Sequence, residues 1–335
     1  MGWSKYLLIL CLTANFHSFE SRILTEKENE DRLKICGSKR LKSKVFNGRE
    51  ANVGEAPWAV QVISPNSSCT GTLISSRHVI TATHCIAEND KKQWNSNNLN
   101  YKFDRSKCEK HNNVVIRETL ASKVAVMSNK TIIGRAKYLV LIGFCRIANE
   151  RYHFEYADDL MIVELSEDVE YSPLLQPACV ARDTKDNEEG SILEFYGFGQ
   201  NPGKTEKEAP QTHGVLRHEQ TKILNENKKG TSKRIDPRVF HTRSVTEMSV
   251  GCQGDSGGGA IGKVDGRDTV VGVMMQSSCE TMKREKEALE AFASVGFHAN
   301  HICRYTGICS PPRGTSERIS LVISIFSVIF SLVYL

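Results

Sequence analysis

The stretch Gly251-Cys252-Gln253-Gly254-Asp255-Ser256-Gly257-Gly258-Gly259 constrains this chain more than any other. A hydroxyl stands among glycines, behind a carboxylate and close to a cysteine. Glycine tolerates positive φ and lets another backbone approach closely. Such a run can form a tight turn that holds the Ser256 hydroxyl outward and aims the backbone N–H groups of Gly254 and Ser256 at one point. Two convergent N–H groups can bind the oxyanion of an attacked carbonyl. A serine hydroxyl is a weak nucleophile alone, so this reading requires a base elsewhere in the chain. Without one, the stretch is a glycine-rich turn with an incidental serine.

Two upstream segments offer the missing groups: Thr81-Ala82-Thr83-His84-Cys85 and Asp158-Asp159-Leu160-Met161-Ile162-Val163-Glu164-Leu165. In the order His, Asp, Ser, these segments resemble the trypsin/chymotrypsin family of serine peptidases; unrelated folds carry the same triad in other orders. The resemblance makes His84 the general base, Asp159 its orienting carboxylate and Ser256 the nucleophile, with Gly254 and Ser256 forming the oxyanion hole. Asp159 is chosen over Asp158 because the family places its aspartate directly before an apolar strand. The other nine of the ten histidines are read as structural. The likeness covers residues 45 to 309. Cys69-Thr70-Gly71-Thr72-Leu73-Ile74-Ser75 resembles the strand before the histidine motif, and Tyr196-Gly197-Phe198-Gly199 the family's Gly-aromatic-Gly turn. Val271-Gly272-Val273 resembles the strand after the serine loop, and Phe292 to Cys303 the closing strand and C-terminal helix.

Short apolar runs separated by turn residues read as strands: Trp58 to Ile63, Thr72 to Ile74, His78 to Ala82, Val114 to Ile116, Lys137 to Ile142, Leu160 to Leu165, Ile192 to Tyr196 and Thr269 to Met275. Many short strands and few helices predict an all-β sandwich or barrel. The resemblance selects two six-stranded antiparallel β-barrels with a C-terminal helix and the triad in the cleft between them. His84 and Asp159 would come from the first barrel, Ser256 from the second.

The chain divides into four parts. Residues 1–18 are predicted as a secretory signal peptide: Lys5 supplies the positive start, Tyr6 to Leu12 the apolar core, and Ala14 and Ser18 mark two candidate cleavage regions. Residues 19–44 are charged and read as an exposed activation segment. It ends at Lys44-Val45-Phe46-Asn47-Gly48. The resemblance implies cleavage after Lys44, so that the new α-amino group of Val45 pairs with Asp255 and locks the serine loop; a buried carboxylate without a partner is costly. Phe46 and Asn47 depart from the family pattern at this junction. Residues 45–309 form the peptidase domain. Residues 310–335 are a polar spacer and an apolar tail. The tail, Ile319 to Leu335, would rise about 25 Å as a helix at about 1.5 Å per residue. It carries no basic flank beyond it, and it reads as a glycolipid-anchor signal or a terminal membrane helix.

A secreted chain with an even number of cysteines predicts disulfides. There are eleven cysteines in all, and one of them, Cys11, falls in the signal. The resemblance pairs Cys69–Cys85, Cys252–Cys279 and Cys36–Cys179, which leaves Cys108–Cys145 and Cys303–Cys309. Paired C-x-x-C spacing is missing, so no metal site is expected, and the chemistry calls for no cofactor. Asn66-Ser67-Ser68 and Asn129-Lys130-Thr131 are glycosylation acceptor triplets, at Asn66 and Asn129. The net charge of +5 forms no stripe suited to nucleic acid.

The sequence departs from the family at the specificity pocket. Trypsin-like members carry an aspartate two places before the loop cysteine; here that position is Val250, and an apolar floor cannot pair a buried cation. Glu290 is the one carboxylate expected near the opposite wall. The strand that pairs with substrate reads Met274-Met275-Gln276, with Gln276 narrowing the pocket entrance. The long stretch between His84 and Asp159 has its excess at Glu88 to Lys110, a predicted surface loop. The chain is thus expected to be a secreted or surface-tethered serine endopeptidase made as a zymogen, acting on protein or peptide substrates after an activating protease has cut it. The alternative is a catalytically weak or inactive peptidase-like domain that binds proteins.

Overall fold

A computed structural model describes residues 21–38, 49–90, 93–96, 101–102, 108–109, 111–147, 158–201, 213–224, 236–245, 249–279 and 289–309. Two antiparallel barrels organise them. The first contains β1 (Ala59–Ser64), β2 (Ser67–Leu73), β3 (His78–Thr81), β4 (Ala125–Ser128), β5 (Thr131–Ile142) and β6 (Leu160–Leu165). Its order is β6-β3-β2-β1-β4-β5, and pairing of β5 with β6 closes the ring. The second contains β7 (Ile192–Gly197), β8 (Arg217–Ile223), β9 (Val239–Ser244), β10 (Gly259–Val264), β11 (Arg267–Ser277) and β12 (Leu289–Ser294). Here β8-β7-β10-β11-β12-β9 closes through β8 and β9. Closure leaves neither barrel with a free edge for unwanted pairing. Among the described residues two helices are longer than a single turn, α1 (Glu26–Ile35) before the barrels and α2 (Ala299–Thr306) after them.

The first barrel is filled by branched aliphatic side chains, among them Val60, Leu73, Val79, Leu139, Leu141 and Ile162. In the second, Phe292 stacks on Phe240 and meets Phe195 edge-on. Five disulfides join Cys36–Cys179, Cys69–Cys85, Cys108–Cys145, Cys252–Cys279 and Cys303–Cys309. Closing loops of such lengths stabilises by about 2–4 kcal/mol each.

The leader differs from the exposed segment expected from its charge. Residues 26–35 form α1, opened by a capping box between Thr25 and Glu28. The helix lacks an apolar stripe because it docks through polar groups. Asn29 Nδ2 donates to the Cys309 carbonyl at 2.8 Å, Arg77 pairs with Glu28, and Arg32 is buried. The Leu24 N–H donates to the Thr306 carbonyl at 2.9 Å, so the leader also touches the end of α2. With Cys36 bonded to Cys179, a cut at Lys44 leaves α1 attached. Cleaved protein is therefore expected to run as one species on a non-reducing gel and as two after reduction.

Strands β8, β9 and β10 were not legible as apolar runs. In β8 the buried positions are taken by His218, Glu219 and Thr221 as well as Ile223, so polar residues mask the alternation. In β10 two glycines do the same. Several expectations lie outside the described residues: the signal peptide 1–18, the junction Lys44–Val45, part of the loop Glu88 to Lys110 and the tail 310–335. Among the described residues no helix is long and apolar enough to cross a membrane.

Candidate active site

Strand register brings His84 and Asp159 together. Thr81, the last residue of β3, pairs with Met161 near the start of β6. The chain continues from Thr81 into a 3-10 turn, Thr83–Cys85, that carries His84, while Asp159 directly precedes β6. His84 Nδ1 lies 2.5 Å from Asp159 Oδ2, and the His84 backbone N–H donates to Asp159 Oδ1 at 2.9 Å. Both carboxylate oxygens thus fix one residue, its ring and its backbone. Asp159 is buried and His84 partly exposed. The neighbouring Asp158 turns away: its oxygens lie 3.4 Å from Arg238 Nη1 and 3.4 Å from His298 Nε2, on the second barrel and the turn before α2.

The serine turn reaches this pair from the second barrel. The Ser256 carbonyl accepts the Thr70 N–H at 2.9 Å and lies 3.8 Å from Cys85 Sγ, next to His84. Gly257, at φ 82°, packs so closely on β3 that a Cβ there would collide with Thr81 Oγ1. Gly254 adopts φ 100°, a conformation L side chains rarely take. Among the described residues, the N–H groups of Gly254 and Ser256 donate to no protein acceptor. They are available to a ligand oxygen.

The rest of the turn is held by Asp255. Its Oδ1 accepts the Gly199 N–H at 2.7 Å and its Oδ2 the Cys252 N–H at 2.8 Å. Burial pushes its carboxyl up to about 7 against the pull of those two N–H groups. The glycines of Gly197-Phe198-Gly199 are explained by this contact. A Cβ on Gly197 would collide with Asp255 Oδ1, and one on Gly199 would sit 2.5 Å from its Cγ. Gly199→Ala is therefore expected to destabilise the protein by about 1–3 kcal/mol through overpacking, read as a lowered midpoint of urea unfolding. A small open cleft lies beside Asp255, bordered by Gly197, Arg217, Glu219, Ser249 and Val250.

The pocket candidates fall close to the turn. Val250 is buried, and Glu290 Oε1 accepts the Gly251 N–H at 2.9 Å. Gln276 is exposed and follows an irregularity in the β11–β12 register at Met275. Glu219 is driven well above the usual carboxylate range by burial and by the adjacent Glu290. Asn66 and Asn129 are both exposed in tight hairpin turns, Asn129 at φ 47°. His78 is a buried core histidine, held neutral by desolvation with its pKa down to about 3. Among the described residues no cluster of His, Cys, Asp or Glu could hold a metal ion.

Thr70 was missed as a site residue. Its Oγ1 accepts the Phe198 N–H at 3.0 Å and donates to the Gly254 carbonyl at 2.9 Å, while its carbonyl accepts Thr81 Oγ1 at 2.7 Å. It ties the serine turn, the Gly-aromatic-Gly turn and the histidine strand together. A threonine in a β-strand carries no sequence mark of such a role.

Comparison with known proteins follows the same lines. The sequence profile of the nematode trypsin-6-like family matches residues 6–309. CLIP domain-containing serine protease B15 of Anopheles gambiae is 25% identical over 259 residues, 71% of this chain and 64% of that protein. Trypsin-like protease try-5 of Caenorhabditis elegans is 27% identical over 227 residues, 61% of this chain and 67% of that protein. Phenoloxidase-activating factor 1 of Holotrichia diomphalia is 23% identical over 171 residues, 49% and 44% of the two chains. The chain thus spans 44% to 67% of the length of these relatives.

Proposed function

The chain belongs to the nematode trypsin-6-like family, as a divergent trypsin-like serine peptidase, and on that premise we propose that it is a secreted serine endopeptidase made as a zymogen. The observation that carries the reading is the meeting of three segments at one edge: the His84–Asp159 pair at 2.5 Å, with the Ser256 turn docked on Thr70 beside it. In the proposed reaction His84 takes the Ser256 proton as Oγ bonds to the substrate carbonyl carbon. The Gly254 and Ser256 N–H groups hold the oxygen that becomes negative. The C–N bond breaks as His84 returns the proton to the leaving amine. Water, deprotonated by the same imidazole, then releases the acyl group. Asp159 keeps the ring in the productive tautomer and stabilises the imidazolium.

Activation by cleavage after Lys44 is supported by the cleft beside Asp255. Arg49 pairs with His218 on β8, whose neighbour Arg217 borders that cleft. Val45 precedes Arg49 by four positions, a reach of about 14 Å in extended chain. Its new ammonium group is the right charge for a buried carboxyl whose hydrogen-bond partners among the described residues are two backbone N–H groups. Secretion rests on residues 1–18 and on the disulfides; surface tethering rests on the apolar run Ile319 to Leu335, and glycosylation on exposed Asn66 and Asn129. A protein substrate and a separate activating protease complete the proposal.

A second reading, an inactive protein-binding domain, is favoured by Val250 on the pocket floor. A fluorophosphonate probe separates the two. Labelling of the Lys44-cleaved protein that vanishes in His84→Ala supports the enzyme; no labelling after complete cleavage supports the binding domain.

A further inference from the structure

We propose that the pocket beside Ser256 is short and apolar because Met274 fills it, and that the protein therefore cuts after small uncharged residues such as alanine. The inference rests on the peptidase reading and names its substrate class.

Two segments flank Ser256. Ser249 to Cys252 leads into the turn, and the end of β11 runs past it. The Gly257 N–H donates to the Met274 carbonyl and the Met274 N–H to the Gly258 carbonyl, both at 2.9 Å, so Met274 lies directly across from the residues after Ser256. The Cys252–Cys279 disulfide ties the end of the first segment to the chain just past β11. The gap between them adjoins the serine turn, and in the peptidase reading it receives the side chain preceding the scissile bond.

That space is occupied. Met274 is 2% exposed, and its thioether lies against the backbone of Gly251 on the opposite segment. A Cβ on Gly251 would collide with Met274 Cε and come within 2.6 Å of its sulfur. The methionine therefore bridges the gap from one wall to the other. Nor is a carboxylate free to receive a lysine or arginine. Glu290 Oε1 takes the Gly251 N–H, and its Oε2 accepts Thr242 Oγ1 at 3.1 Å. Behind it lies Glu219, whose Oε2 takes Ser249 Oγ at 2.9 Å and whose Oε1 is buried without a donor. Burial, and Glu290 beside it, drive Glu219 towards its neutral form, so Glu219 offers no ready counter-charge to a cation. Glu290 has both oxygens committed, and the side chain that meets Gly251 across the gap is Met274.

The test uses the Lys44-cleaved protein and a peptide series that differs only in the residue before the bond: Ala, Leu, Phe and Lys. Wild type is expected to favour Ala over Leu, Phe and Lys by about ten-fold or more in kcat/KM. Met274→Ala should shift preference towards Leu and Phe by a similar factor. Met274→Val, a smaller change, should shift it part of the way if the alanine variant folds poorly. A wild type that favours Phe or Lys, or variants with unchanged ranking, would overturn the proposal. Absence of fluorophosphonate labelling would defeat the peptidase reading instead. The pocket is then read without chemistry, by binding of indole and benzamidine followed as thermal shifts. Neither should bind wild type, and indole should bind Met274→Ala. Binding of either by wild type sinks the filled pocket.

Discussion

Ser256→Ala is expected to lower turnover of any cleaved peptide by about 10⁶-fold, the scale seen when a serine peptidase loses its nucleophile. Asp159→Asn should cost about 10⁴-fold, because an amide presents its N–H to His84 and favours the wrong tautomer. The adjacent aspartate supplies the control. Asp158 faces Arg238 and His298 rather than His84, so Asp158→Asn should lower the melting temperature while kcat stays within about ten-fold of wild type. Active-site titration of the three variants, with urea unfolding beside it, checks the set. Equal losses of kcat for Asp158→Asn and Asp159→Asn would show that the His84–Asp159 pair is not the working one.

The second large effect is on stability. Asp255 in the uncut protein has a pKa raised to about 7 against 3.8 for an ordinary aspartate, with burial as the leading cause. A carboxyl whose folded pKa is raised binds more protons folded than unfolded, so stability falls as pH rises between the two values. The fall starts near pH 4 and is complete just above pH 7. Its size is roughly 4 kcal/mol, or about 6 °C in melting temperature for a chain of this size. After cleavage at Lys44 the Val45 ammonium would pair with the carboxylate and hold it ionised, and this fall should disappear. Glu219 is shifted in the same direction in the uncut protein and should stay so after the cut, so the difference between uncut and cut protein isolates Asp255. Calorimetry of both forms at pH 5 and pH 8 makes the measurement. A fall of equal size in the two forms would exclude pairing of Val45 with Asp255.

Much of the fold was legible where a strand is a short continuous apolar run, buried on both faces. Leu160–Leu165 has the same limits in sequence and in structure. The strand around Lys137 to Ile142 was read short: it begins at Thr131, and Gly134 and Arg135 interrupt the apolar run after Ile133. The leader helix was hidden by charge, since Asn29 and Arg32 dock through hydrogen bonds rather than an apolar face; the Thr25–Glu28 capping pattern was its only local mark. At the site, glycine positions were readable because their cause is steric and local. Thr70, Arg238 and His298 were not, because their roles come from neighbours far away in sequence.

Thr70 has a wider consequence. One small side chain carries news of the serine half to the histidine half: its hydroxyl senses Phe198 and Gly254, and its carbonyl steadies Thr81, three residues before the imidazole. Locking the Asp255 loop would therefore be felt on both sides of the seam at once. A chain with valine there would keep every barrel strand and every crosslink, yet its two halves would no longer agree on where the nucleophile stands.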